Sequence, residues 1–139
     1  MKVWIALLLA LSLPLMAQAS ASKEEAEGKE GAAPAVSYVT LVPALVGNFG
    51  DGPKLKFFKA DLSLRVSGAD VEAKVKHHEP LIRNQLVMLF SQQTEEAMAA
   101  PGARETLRSE ALKQVQDVLN QEEGQPLVED LLFNNLIIQ

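Results

Sequence analysis

The sequence predicts an α+β domain: a small antiparallel sheet, made of an N-terminal hairpin and a C-terminal strand, with two to three helices packed on one face. Three observations carry that prediction. Phe58, Ala60, Leu62, Leu64 and Val66 alternate with Lys59, Asp61, Ser63 and Arg65, the period of a half-buried strand. Two later stretches, one running from Leu81 to Ala97 and one from Leu107 to Leu119, repeat apolar residues at helical spacing. The last residues, Val128 to Gln139, hold Leu132, Phe133, Leu136, Ile137 and Ile138. Left in water, each of these would forgo roughly 1.5–3 kcal/mol of burial, so they read as a strand laid into the sheet.

The domain is expected to start near Val36. Tyr38-Val39-Thr40-Leu41-Val42 is rich in strand formers, and Pro43 marks an edge, a bulge or an early stop, after which Ala44-Leu45-Val46 resumes. Gly47 to Pro53 reads as a dense turn leading into the alternating strand, which Ser67-Gly68 ends. A helix begins at Ala69 or Asp70, with Asp70 a fair N-cap and Glu72 well placed in the first turn. Pro80 breaks or kinks it, or starts a new helix at the first helical position. The stripe Leu81, Ile82, Leu86, Leu89, Phe90, Ala97 follows, opposite Arg83, Asn84, Gln92, Gln93, Glu95 and Glu96. Ala100-Pro101-Gly102 separates it from a last helix, whose Leu107, Ala111, Leu112, Val115, Val118 and Leu119 oppose Arg104, Arg108, Lys113 and Asp117. Glu122-Glu123-Gly124-Gln125-Pro126 terminates that helix, and the closing strand follows.

Upstream, the organisation is different. Lys2, an apolar run from Val3 to Met16, and Ala17-Gln18-Ala19 are the three parts of a cleavable export signal, with Ala17 and Ala19 at the cleavage site and Ser20 as the new N-terminus. The alternative is an uncleaved membrane anchor, although the run is shorter than the about 20 apolar residues a spanning helix needs. Residues 20–35 are charged and small, the composition of a flexible tether. The expected plan is therefore a signal at 1–19, a linker at 20–35 and a domain at 36–139.

Composition narrows function. The net charge is −5, which argues against a nucleic-acid partner and against a general attraction to anionic lipid. The absence of cysteine excludes thiolate zinc sites, thiol nucleophiles and disulfide staples. His77-His78-Glu79 is the histidine cluster, but adjacent helical residues point about 100° apart and do not share a metal. No nucleophile elbow and no phosphate loop is present, and the carboxylate pairs sit in polar contexts. No catalytic, metal or cofactor residue is therefore assigned, and the chain reads as a non-enzyme. Arg65, Arg83, Arg104 and Arg108 are candidate rim residues of an interaction surface, against the simpler reading of solvated charges.

From Tyr38 to Gln139 the chain resembles the flagellar basal body-associated FliL family. The resemblance rests on Tyr38, Leu41 and Pro43, on Asn48 before the long strand, and on His78-Glu79-Pro80-Leu81-Ile82-Arg83-Asn84 at a helix start. Gly102-Ala103-Arg104-Glu105-Thr106-Leu107-Arg108 and the ending Val128 to Gln139 complete it. It implies a domain similar to the stomatin/prohibitin type and a non-catalytic accessory of the basal body. It further implies partners among stator or basal body proteins, self-association or association with an anchored relative, ring assembly, and a role in motility and swarming. The expected location is the periplasm, at the face of the inner membrane. One departure is the signal-like N-terminus, where the family has a full transmembrane helix. The alternative function is a periplasmic module that binds a lipid, a peptide or an envelope protein, unrelated to flagella.

Overall fold

A computed structural model describes residues 33–139. The expected signal, its cleavage residues Ala17, Ala19 and Ser20, and most of the expected tether lie outside the described residues. Four strands and four helices follow in the order β1 (Val36–Thr40), β2 (Leu45–Phe49), β3 (Lys56–Ser67), α1 (Ala69–His77), α2 (Glu79–Ser91), α3 (Glu95–Ala99), α4 (Ala103–Glu123) and β4 (Asp130–Ile138).

All strands pair with β3, and all pairs are antiparallel. Ser63, Leu64 and Arg65 pair with both β1 and β4, and Phe58, Lys59 and Ala60 with both β2 and β4. A strand has two edges, so β1 and β2 share one edge of β3 and β4 takes the other. The first row is thus a single strand interrupted at the cis Val42–Pro43 bond, where proline removes a ladder donor. Leu41 N still reaches Leu62 O at 3.0 Å, and the helix side restrains the break: Arg83 Nη1 donates to Pro43 O at 2.7 Å.

The alternation of β3 sorts its two faces. Phe58, Ala60, Leu62, Leu64 and Val66 are buried under the helices. Against them pack Ile82, Leu86 and Phe90 of α2 and Leu107, Ala111, Val115 and Leu119 of α4, each series one turn apart. Phe58 and Phe90 meet edge to face with centroids 5.4 Å apart. Leu131 brings β4 into the same core.

Three local expectations need correction. Gly47 and Asn48 belong to β2, because the turn begins only at Gly50. The ring of Phe58 lies across Gly47, and a Cβ there would stand 2.7 Å from it, so the glycine serves close packing and not a bend. The helix expected to continue to Ala97 stops at Ser91, and Thr94 starts a separate short helix by accepting from Ala97 N at 3.0 Å. Gly68, not Asp70, is the N-cap of α1. Pro80 begins a new helix in its first turn, one of the outcomes expected of it.

Candidate interaction surface

Among the described residues no group of three or more His, Asp or Glu side chains is placed to hold a metal ion. The polar clusters that exist join elements. His78 is both the last cap of α1 and the first of α2, and its Nε2 lies 2.7 Å from Glu123 Oε1 at the end of α4. Lys74 approaches the same carboxylate at 3.3 Å. His78 and Lys74 together hold the Glu123 carboxyl below its ordinary pKa. His77 stacks edge-on against His78 and takes no part in that contact.

The helices cover one face of the sheet; among the described residues no element covers the other. On it the register places Tyr38 beside Arg65, Val46 beside Lys59, Lys59 beside Ile137, and Ser63 beside Leu132. Tyr38, Val46, Phe57, Leu132 and Ile137 are all exposed there. Five large apolar groups on one sheet face, interleaved with charges, mark a surface suited to a partner. Its middle is polar and ordered. Ser63, only 5% exposed, shares a 2.9 Å hydrogen bond with Thr40 and accepts from Asn134 Nδ2 at 2.8 Å. Asn134 reaches it because the β3–β4 register slips by one residue between Asp61 and Leu62, a bulge that leaves Asn134 unpaired.

The structure separates the four arginines. Arg65 lies on the open face; its Nε is 3.4 Å from Glu129 Oε2 but too poorly aligned to make a hydrogen bond, while Glu129 accepts from Ser67 at 2.6 Å. Arg83 is on the helix side at the Pro43 break. Arg104 and Arg108 come together at the free edge of β4. Arg104 Nη2 donates to Phe133 O at 3.3 Å and its guanidinium sits 5.8 Å over the Phe133 ring. Arg108 bridges Glu105 and Asp130 and approaches Leu131 O at 3.4 Å. Glu105 raises the pKa of Arg108 further above its ordinary value, and Arg108 in turn lowers that of Glu105. Both arginines therefore satisfy carbonyls of an edge strand, which blunts that edge against unwanted pairing. Arg108, with three partners and a side chain only 28% exposed, is a tie between α4 and β4 more than a solvated rim charge.

Sequence reading missed the apolar side chains of the open face. Val46, Phe57 and Ile137 look like core candidates in a list of residues, and only the register shows them facing out. Shallow clefts open at the margins of the fold. One, of about 370 Å³, lies between the ends of β2, β3 and β4 and α3, lined by Phe49, Lys56, Met98 and Ile138. A second, of similar size, lies beside Arg104, Arg108 and Phe133. No helix of the described residues is long and apolar enough to cross a membrane.

A family model for flagellar basal body-associated protein FliL matches residues 38–139. A flagellar protein FliL of Aquifex aeolicus (strain VF5) is 31% identical over 99 residues, which cover 71% of this chain. The matched stretch spans 59% of that relative's length.

Proposed function

Because the chain belongs to the flagellar basal body-associated FliL family, we propose that it is a non-catalytic accessory of the basal body that works by presenting its open sheet face and the β4 edge to neighbouring proteins. The family match over the folded unit is the observation that carries this reading. The apolar groups of the open face support it physically, since a face that helices leave bare is available to a partner. In this reading the domain supports stator function, and so motility and swarming, by associating with stator or basal body components. Copies of the chain, or the chain and an anchored relative, assemble side by side in the periplasm at the inner membrane. A head-to-tail contact of this kind closes into a ring when the rotation per subunit allows. Arg104 lies at the rim of such a contact, with Arg65 on the face itself. Export is by the N-terminal segment, with cleavage between Ala19 and Ser20.

Localisation in living cells tests the proposal. A periplasm-competent fluorescent tag belongs just after Ser20, because Gln139 exchanges two backbone hydrogen bonds with Phe57 and a C-terminal fusion would pull on them. Foci that coincide with flagellar bases and vanish on stator deletion are the expected result. A diffuse signal indifferent to the motor would overturn it.

A further inference from the structure

Midway along the open face lie two charges that the fold leaves unanswered. Lys59 and Asp61 are two residues apart on β3, so both point to the same side of the sheet. Among the described residues neither takes part in an ion pair. Farther along the strand Arg65 is matched by Glu129. Lys59 with Asp61, and Arg65 with Glu129, therefore leave this face electrically balanced on a chain whose net charge is −5. The cross-strand row of Lys59 holds Val46 on one side and Ile137 on the other, 64% and 39% exposed. Phe57, next along the strand on the same face, is also exposed.

We propose that the open face of one copy packs on the open face of a second copy, about a two-fold axis that runs across the strands between residues 59 and 61. This pairing rests on the proposed function's reading of the open face as a docking surface, and it names the occupant. Rotation about such an axis lays β3 antiparallel to its mate and sets Lys59 of each copy over Asp61 of the other. Charges uncompensated in one chain become two ion pairs, and Val46 and Ile137 of both copies close around them. Three features favour a second copy over an unlike partner. The pattern is self-complementary, because cation and anion are neighbours on one strand and a two-fold axis exchanges them. The balanced face lets two acidic chains approach without the repulsion that their net charge would otherwise impose. The size also fits. The 12 residues of β3 at about 3.4 Å each, with a strand row on either side at about 4.8 Å, give a footprint on the order of 600 Å² per copy. Two copies together reach about 1,200 Å², the lower end of interfaces that hold a stable pair. The contact is isologous and closes on itself, so the β4 edge stays available for assembly side by side.

Charge reversal in the full chain, followed by sedimentation velocity across a wide range of concentration, tests the pairing. Lys59→Asp sets carboxylates against carboxylates, and Asp61→Lys sets ammoniums against ammoniums. Each variant alone should raise the dissociation constant by roughly tenfold or more. An equal mixture of the two variants should pair again, because each chain then meets the opposite charge. That recovery belongs only to a contact in which position 59 faces position 61. All chains carry the same N-terminal segment, so association through it would ignore these changes. Val46→Glu, at an exposed position of a different strand, should weaken pairing as well, which keeps the test independent of how β3 tolerates its own substitutions. An unaltered chain that stays monomeric overturns the proposal. So does pairing that survives both single reversals, or a mixture that fails to recover. A monomeric chain that still gathers at flagellar bases would remove the pair and keep the proposed function; a pairing chain indifferent to the motor would do the reverse.

Discussion

The two faces of β3 are built from one strand and obey opposite rules. On the helix side Phe58, Ala60, Leu62, Leu64 and Val66 are sealed, and helices supply the partners. On the open side Phe57 and Lys59 remain exposed, Asp61 and Arg65 are half-buried, and Ser63 is sealed by its hydrogen-bonded neighbours. Alternation in one strand cannot show how apolar its outer face is; the register can, since it sets Val46 and Ile137 of the neighbouring strands beside Lys59. The packing that holds the fold together lies on one face, and the other carries exposed apolar groups that the helices do not cover.

The widest contrast in stability should come from paired truncations. Leu62→Ala, on the sealed side of the central strand, is expected to cost about 2–5 kcal/mol, read by urea unfolding. Phe57→Ala, five residues away on the open side, should change stability by only about 0.5 kcal/mol. Equal losses would mean that the open face is covered in the folded protein. A smaller contrast lies along β4. Arg108→Glu should lower the melting temperature clearly more than Arg104→Glu, because Arg108 holds Asp130 and Glu105 as well as a carbonyl. Adding Asp130→Arg should recover part of the loss; no recovery would remove the α4–β4 tie from the account.

The smallest effect is one of pH. Glu123 has a folded pKa below its ordinary value, so the unfolded chain binds its proton first as pH falls. Its contribution is complete above the ordinary carboxylate range and is lost as pH drops through the depressed folded value. Glu123→Gln should flatten that acid limb of stability measured by urea unfolding across pH. An unchanged limb would assign the acid sensitivity to other carboxylates.

Much of the fold was legible because its signals are local. The alternation of β3, the stripe of α4, the interruption at Pro43 and the restart at Pro80 each follow from a few consecutive residues. Gly47 was misread because its reason, the Phe58 ring, arrives across a hairpin. The end of α2 was passed over even though Thr94 before Glu95-Glu96 is a capping signal, since the apolar spacing to Ala97 looked unbroken. The surface was the least legible part. Arg104 and Arg108 find partners more than 20 residues away, which no local pattern announces.

The central place of β3 also sets a timetable. Ser67 and Glu129, joined by a hydrogen bond, are 62 residues apart in the chain, and β4 completes a sheet whose middle strand was made long before. While a chain emerges N-terminus first, β1, β2 and all four helices can assemble around β3 with one of its edges still unpaired. Closing so distant a pairing carries a loop-entropy cost that local contacts avoid. A domain that folds as it emerges would therefore hold an open, apolar-flanked strand edge until β4 docks, and that interval is where a holding chaperone would matter most to it.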